Sequence, residues 1–344
     1  MRFYGICFCL MALFLAVLPL LTTEPMKEST ELQTEEPLTA VVDEVFLPQA
    51  GKDDMVTVSQ YPLNKVQQFQ IKNAVSGNID VVDAETYVLG AVCSEMPATF
   101  HLEALKAQAV SARTWAVYQQ LWQKKHPSAE LDGADFQADP LNWKGYVTEE
   151  QARERFGEKF EEYWSLLTRA VKETEGQILC HDGQPIAAAY HAISAGKTEA
   201  AQYVWGSELA YLQAVDSRGD ELAPGFEESR SVTDAEIKTI FSAATLEASP
   251  TSWLEIWERS PSGYVTEIQV GDLLLSGQDF RTALALRSSH FTIVREEGGF
   301  RITTKGYGHG AGLSQYGADF MARQGKNYAE ILAHFYQGTQ LCQW

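Results

Sequence analysis

An uncharged apolar run, residues 3–21, lies at the start of the chain and limits where the rest of the protein can fold. At about 19 residues it has the length that a helix needs to cross a bilayer. Arg2 precedes it and several glutamates from Glu24 onward follow it, an asymmetry that predicts a cytoplasmic amino terminus. We expect residues 1–23 to form a signal anchor that holds the protein in the cell membrane by a single pass, with the body extracytoplasmic.

A cleaved secretory signal is the alternative, and it also leaves the body outside the cytoplasm. The apolar core of a cleaved signal is shorter, about 7–15 residues, and the run here ends in Leu20-Leu21-Thr22-Thr23, a poor cleavage site. Residues 24–60 are rich in Glu, Thr, Pro and Gln and predict a flexible acidic tether. Residues 61–344 are expected to form the folded domain.

The charge balance excludes one class of partner. The chain has 46 Asp and Glu against 27 Lys and Arg, a formal net charge of −19. Nucleic-acid binding needs clustered cations, so we expect no nucleic acid among the partners. Apolar residues make up 45% of the chain, enough for a sizeable core.

Helical periodicity dominates the first half of the body. Asp83 is placed to cap a helix that Pro97 ends. A second helix is predicted from about His101 to Gln120, where apolar residues recur at intervals of three and four. A third is predicted to begin at Thr148 with the pattern of a capping box and to continue until Gly176 ends it.

Strands and shorter helices share the second half. Strands are predicted over residues 177–180, 186–190, 265–270, 291–294 and 300–304. Helices are predicted over residues 279–286, 314–324 and 328–335, and Gly298-Gly299 predicts a hairpin turn. Because strand and helix do not alternate regularly, the predicted fold class is α+β, a mixed helix-and-sheet body with a helical lobe.

Glu95 lies in the segment Ser94-Glu95-Met96-Pro97, between the first two predicted helices and among apolar residues. Burial in such surroundings raises the pKa of a carboxyl, as a general acid needs near neutral pH. A solvated carboxylate at a helix end is the alternative that this segment alone leaves open.

Two further segments are candidates for a site. Residues 190–198 end in Gly196-Lys197-Thr198, but His191 stands where a phosphate loop needs glycine, so nucleotide binding is excluded. Residues 306–317 read GYGHGAGLSQYG, with four glycines in seven residues around His309. Such a loop can approach a ligand closely, and a ligand-facing role is favoured. The pieces 277–281 and 286–288, which contain Arg281 and Arg287, are interpreted as structural.

Together and in this order, these segments resemble the SpoIID/LytB domain family over about residues 82–339. The resemblance rests on strings at residues 87–90, 94–97, 103–110, 112–114, 190–199, 204–206, 280–281, 286–288 and 306–317. Each string is weak alone, whereas the ordered set is specific.

The resemblance implies a lytic transglycosylase of peptidoglycan, acting in sporulation during engulfment of the forespore. Such an enzyme cleaves glycan strands stripped of stem peptides and leaves 1,6-anhydro-muramic ends. The implied partners are the glycan strands, a peptidoglycan amidase that prepares them, and a membrane protein of the same machinery. A glycosidase uses two carboxylates, but here the sugar's own 6-hydroxyl attacks, so one carboxyl can act as both acid and base.

The resemblance also assigns roles to residues. Glu95 is the implied catalytic acid/base, and Lys106 and Arg113 are implied to orient it or to bind substrate. The residues expected to contact sugar are Tyr190, His191, Ser194, His309 and Gln315. Trp115 and Trp205 are candidates for stacking on sugar rings, with burial in the core as the alternative.

One departure from the family concerns a metal. Members often carry zinc on one His and two Cys in the loop after the second helix. This chain has His126, but Leu131 and Phe136 stand where the cysteines are expected. Thiolates make such a site tight, and Asp132 and Asp135 are weaker replacements. We therefore expect no metal and no other cofactor.

The sequence leaves two alternative functions. The wider family includes a protein described as an amidase enhancer, so a non-catalytic module that holds glycan and stimulates an amidase is the alternative to an enzyme. A metal-dependent hydrolase would use His126, His181, His191 and His309. It is disfavoured because these lie at no metal-ligand spacing.

Overall fold

The structure, a computed structural model, describes residues 68–344. The predicted signal anchor (1–23), the tether (24–60) and the first residues of the body (61–67) lie outside the described residues, so these predictions stay predictions. Within 68–344, no helix combines the length and the apolar character needed to cross a membrane.

A small sheet and four helices form the first part of the described chain. Strand β1 (Gln68–Asn73) lies between the antiparallel β2 (Ile79–Asp83) and a third, parallel strand. The other elements of this first part are α1 (Ala84–Glu95), α2 (Leu102–Lys125), the parallel strand β3 (Phe136–Ala138), α3 (Glu149–Phe156) and α4 (Phe160–Glu173). Helix α2 packs against α1 and α4 and lies at the centre of the larger hydrophobic core.

The helix starts follow their capping residues. The Asp83 carboxylate accepts hydrogen bonds from two amides in the first turn of α1. His101 caps α2, and Thr148 forms a capping box with Gln151 at α3. These contacts confirm the three predicted starts, because a side-chain acceptor satisfies amides that lack a partner within the helix. The prediction of one continuous third helix up to Gly176 is wrong: Gly157, with φ of 51°, leaves the helical conformation and separates α3 from α4.

The segment before the predicted site is less regular than expected. Strand β4 (Gln177–His181) confirms the prediction at 177–180 and pairs with β5 (Gln184–Pro185). The strand predicted over 186–190 is wrong, since only β6 (Tyr190–His191) forms there, before the short α5 (Ala201–Trp205). Residues 187–189 are alanines, and the Ala189 amide bonds back to the Ala187 carbonyl at 2.8 Å instead of to a neighbouring strand.

Residues 227–305 contain a second hydrophobic core. Its elements are β7 (Glu227–Thr233), α6 (Asp234–Ile240), β8 (Leu254–Arg259), β9 (Val265–Val270), β10 (Leu273–Ser276), α7 (Gly277–Ala283), β11 (Phe291–Glu296) and β12 (Gly299–Lys305). Strands β8, β9 and β10 form one antiparallel sheet, and β12 lies between β7 and β11 in another. The turn at Gly298, with φ of 77°, confirms the predicted hairpin.

The chain then returns to the first core. Strand β13 (Leu313–Ser314) pairs in parallel with β6, α8 (Gln315–Arg323) and α9 (Tyr328–Phe335) pack against α2, and β14 (Gln340–Gln343) pairs with β4. Helices and strands are mixed without regular alternation, which confirms the α+β class for the described residues. The pairing of β13 with β6 brings together two of the segments that the sequence singled out.

Candidate active site

Glu95 is the last residue of α1, and its carboxyl group is buried, with the residue only 2% exposed. The Gln315 amide Nε2 donates to Glu95 Oε2 at 3.4 Å, whereas Oε1 is buried and has no hydrogen-bond partner among the described residues. Met96 adopts an extended conformation and ends the helix before Pro97. The carboxyl therefore lies at a helix carboxyl end, where the helix dipole disfavours negative charge.

Burial raises the pKa of Glu95 to about 8, and the hydrogen bond from Gln315 offsets only part of that rise. Tyr87 and Tyr190 lie close enough that the Glu95 charge contributes to raising the pKa of both phenols. At neutral pH the carboxyl is predominantly protonated. It can donate a proton and, after losing it, act as a base, because its pKa lies near the working pH.

Asp220 binds Ser314, the residue directly before Gln315. Ser314 caps α8 and donates its hydroxyl to Asp220 Oδ1 at 2.7 Å. The other oxygen of Asp220 accepts the Ser194 amide at 2.9 Å, so one buried carboxylate joins the segment after β6 to the start of α8. Burial raises the pKa of Asp220 to about 6, and the hydrogen bonds from the two serines oppose that rise.

Sequence reasoning missed Asp220. It lies in a short 3₁₀ turn, Arg218–Leu222, outside every string that carries the family resemblance. Asp220 is 0% exposed because residues distant in sequence pack around it. Neither its sequence neighbours nor its spacing predicts that burial. Ser194, which was expected to contact sugar, is also fully buried, and the structure places it in this positioning network.

His191 and His309 lie side by side, both buried, with ring centroids 5.7 Å apart. His191 Nδ1 is 3.0 Å from the Ala311 carbonyl, so Nδ1 carries the hydrogen and Nε2 is left as an acceptor. The Ala311 amide donates to His309 Nδ1 at 3.1 Å, so the hydrogen of neutral His309 is on Nε2.

Both imidazoles are neutral near pH 7, because burial lowers their pKa, to about 4 for His191. Within the part of the chain that the structure describes, neither Nε2 atom has a hydrogen-bond partner. The pair therefore presents one acceptor and one donor from adjacent buried rings. A hydroxyl group, which both donates and accepts, matches that combination.

The glycine-rich loop packs directly on the segment that contains His191. The Tyr307 and Ile193 backbones exchange two hydrogen bonds, and the Glu199 amide donates to the Gly310 carbonyl. A Cβ atom on Gly308, which has φ of 107°, would lie 2.8 Å from His191 Cβ. Glycine is needed there because the loop backbone lies so close to the Cβ and backbone of His191.

The two tryptophans have different surroundings. Trp205, half-buried at the end of α5, lies 5.0 Å from the His309 ring. Trp115 is buried in the larger core against Phe136, at 5.1 Å. Of the two candidates for stacking on a sugar ring, only Trp205 is at the candidate site.

Lys106 and Arg113 are paired with other carboxylates. The Lys106 ammonium forms ion pairs with Glu103 and Glu173. The Arg113 guanidinium is 1% exposed, binds both carboxyl oxygens of Glu85 at 2.9 and 2.6 Å, and donates to the Gln177 carbonyl. Among the described residues, no hydrogen bond or ion pair joins either cation to Glu95. A role in orienting Glu95 through direct contact has no support in this geometry.

The loop after α2 does not fit a zinc ion. Phe136 packs against the rings of Phe69 and Tyr87. The Asp135 carboxylate already accepts hydrogen bonds from the Gln70 amide at 2.9 Å and from the Gln120 side chain at 2.8 Å. Within residues 68–344, no group of three or more His, Cys, Asp and Glu side chains is arranged to hold a metal ion.

Comparison with known proteins gives the family. Residues 72–181 match the family model described as "SpoIID: Stage II sporulation protein". The chain belongs to this sporulation family.

Particular relatives extend the match over most of the chain. It is 34% identical to Stage II sporulation protein D of Bacillus subtilis (strain 168) over 264 residues, which cover 77% of this chain and 76% of that protein. It is 35% identical to Stage II sporulation protein D of Bacillus amyloliquefaciens over 77% of this chain and 75% of that protein. Similarity to the amidase enhancer of Bacillus subtilis is 27% identity over 73% of this chain and 40% of the enhancer.

Proposed function

We propose that the protein is a lytic transglycosylase of peptidoglycan, anchored in the cell membrane, that acts during forespore engulfment with Glu95 as its acid/base. The observation that carries the proposal is the state of Glu95. Its carboxyl is buried, has a pKa of about 8, and keeps one oxygen without a partner. An acid that protonates a glycosidic oxygen at neutral pH needs this combination.

One carboxyl is sufficient for the reaction in this proposal. Glu95 gives its proton to the glycosidic oxygen as the bond from that oxygen to the anomeric carbon breaks. The resulting carboxylate takes the proton of the sugar's 6-hydroxyl as its oxygen bonds to the anomeric carbon. The product is a 1,6-anhydro sugar, no water is consumed, and Glu95 ends protonated.

The neighbouring groups have supporting roles in this mechanism. The Gln315 amide holds one oxygen of Glu95 and directs the other toward the substrate. The unpartnered Nε2 atoms of His191 and His309 would bind sugar hydroxyls, with Trp205 against a sugar face. In this proposal a peptidoglycan amidase acts first, because it removes stem peptides and so produces the stripped strands. A membrane protein of the same machinery is the other partner.

Glu95→Gln is the direct test, because the amide keeps the shape and cannot supply the proton. The variant should fold and release no anhydro-muramic fragments from peptide-stripped strands. Glu199→Gln is the matched control. Glu199 is also buried, but both its oxygens accept hydrogen bonds, from the Ala200 amide and the Ser260 hydroxyl, so we expect cleavage to persist. Cleavage by folded Glu95→Gln would refute the proposed role.

A non-catalytic enhancer of an amidase is the second candidate, favoured by the similarity to the amidase enhancer. The two functions separate in a mixed assay. An enhancer raises the rate of stem-peptide release only when an amidase is present and releases no glycan fragments alone. A transglycosylase releases anhydro ends from stripped strands without any amidase.

A further inference from the structure

Arg287 has buried guanidinium nitrogens without hydrogen-bond partners. Its side chain is 17% exposed, and Nη1 donates to Glu228 Oε2 at 2.8 Å. Nε and Nη2 are buried and have no hydrogen-bond partner among residues 68–344. An unpaired buried donor is costly, and more so when it carries charge, so such an edge in a folded protein calls for an explanation.

The guanidinium plane is fixed from two sides. The Tyr307 ring lies 4.3 Å from its central carbon, a cation–π contact. On Gly225, a Cβ atom would come within 2.8 Å of Nη1, so the backbone there packs against the guanidinium. The Nε–Nη2 edge is therefore held in one orientation before any ligand arrives.

Two interactions connect Arg287 to segments that lie beside the candidate site. The Gly308 amide in the glycine-rich loop donates to the Arg287 carbonyl at 2.9 Å. The Arg287 charge also lowers the pKa of the Tyr316 phenol in part, against the dominant effect of burial, so the cation lies near that ring. Tyr316 directly follows Gln315, the residue that bonds to Glu95.

The unpaired edge has the shape of a carboxylate site. Nε–H and Nη2–H point in parallel and match the two oxygens of a carboxylate in a bidentate pair. A sugar hydroxyl satisfies only one of the two donors. In a chain with a net charge of −19, a largely buried cation with two unpaired parallel donors is suited to an anionic ligand group.

We propose that Arg287 binds the free lactyl carboxylate of N-acetylmuramic acid and thereby makes the site selective for peptide-stripped strands. The inference rests on the proposed function, which supplies glycan as the ligand. In a strand that still carries stem peptides, this carboxyl forms an amide bond with the first residue of the peptide and has no negative charge. Amidase action restores the carboxylate, and only then does the guanidinium edge gain its partner.

The test compares two forms of one ligand. Peptide-stripped glycan strands are used as prepared and after conversion of the lactyl carboxyls to primary amides with carbodiimide and ammonia. Binding to the full chain in detergent is measured by calorimetry in the Glu95→Gln background. We expect amidation to weaken binding about 10- to 100-fold, the range for a charge-assisted bidentate pair.

Substitutions show whether Arg287 is responsible. Arg287→Gln should bind both forms equally, at the level of the amidated strands, and Arg287→Lys should keep a reduced preference, because it retains the charge without the fork. Arg301→Gln is the matched control. Arg301 is an exposed arginine on β12 that pairs with Glu296, and its variant should prefer the unmodified strands as the parent does.

Equal binding of the two ligand forms by the parent protein overturns the inference, and so does full discrimination by Arg287→Gln. If Arg287→Gln does not fold, the parent comparison and Arg287→Lys decide. Cleavage is measured separately with unsubstituted protein. Discrimination without anhydro ends refutes the transglycosylase and leaves the carboxylate site standing. Anhydro ends without discrimination between the two ligand forms would refute the carboxylate site and leave the transglycosylase proposal standing.

Discussion

Replacing Glu95 by Gln should remove a stability penalty that grows with pH. The folded state raises the pKa of Glu95 from its ordinary 4.5 to about 8. Between these values the folded protein keeps a proton that the unfolded chain has lost. The folded state binds more protons there, so the free energy of unfolding falls as pH rises through this window.

The size of the effect follows from the two pKa values. At about 1.4 kcal/mol per pH unit, the rise to about 8 corresponds to roughly 5 kcal/mol of unfolding free energy, with most of the loss complete by about pH 8. Glutamine does not titrate. Glu95→Gln should therefore gain stability relative to the parent by about that amount between pH 4 and pH 9.

Urea unfolding followed by tryptophan fluorescence measures the difference at a series of pH values. Glu162→Gln, an exposed glutamate on α4, is the matched control and should follow the parent at every pH. Parallel stability curves for the parent and Glu95→Gln would show that the folded carboxyl titrates normally, and the reasoning from burial to a general acid would be refuted.

Three further substitutions test separate parts of the structure. Asp220→Asn leaves one hydrogen bond of the positioning network unmade; it should cost about 1–3 kcal/mol of unfolding free energy and lower kcat on stripped strands, as urea unfolding and steady-state kinetics will show. Gly312→Ala would bring a Cβ within 2.0 Å of the Ala189 carbonyl oxygen at a φ of 74°, so we expect a loss of about 3 kcal/mol or more, measured by thermal unfolding. Arg113→Met breaks the pair with Glu85 and should cost about 2–3 kcal/mol, while KM for glycan in the folded fraction is unchanged; a raised KM would instead support substrate binding by this residue.

Local signals in the sequence predicted the helical lobe well. Asp83, His101 and Thr148 start their helices because each supplies an acceptor to the first turn, and such signals lie within a few residues of one another. The strand predicted over 186–190 failed for the opposite reason. The Ala189 carbonyl accepts hydrogen bonds from the Leu313 amide and the Tyr336 hydroxyl, both more than 100 residues away, and periodicity does not record such partners.

The candidate site was predicted in part. The family resemblance named Glu95, Gln315 and the two histidines, and the structure brings Gln315 to Glu95 and the histidines to each other. The family resemblance did not indicate Asp220, which binds two serines from distant segments. Nor could it show that Arg113 is already paired, because the partner of a buried charge is a property of packing.

Arg287 illustrates the same limit from the other side. In sequence it is one arginine in a short string that was interpreted as structural. Its unpaired edge is visible only after Tyr307, Gly225 and Glu228 are seen to occupy its other faces. The lack of a partner within residues 68–344 is a property of packing, which the sequence alone does not give.

Mass spectrometry of the fragments that the full-length protein releases from peptide-stripped glycan strands tests the proposed chemistry most directly. Attack by the sugar's own 6-hydroxyl leaves 1,6-anhydro-muramic ends, and these ends should be absent with Glu95→Gln and present with Glu199→Gln. Fragments with reducing ends would mean that water is the nucleophile and that a second carboxylate takes part. Strands that bind and stay intact would mean that the protein is not a transglycosylase.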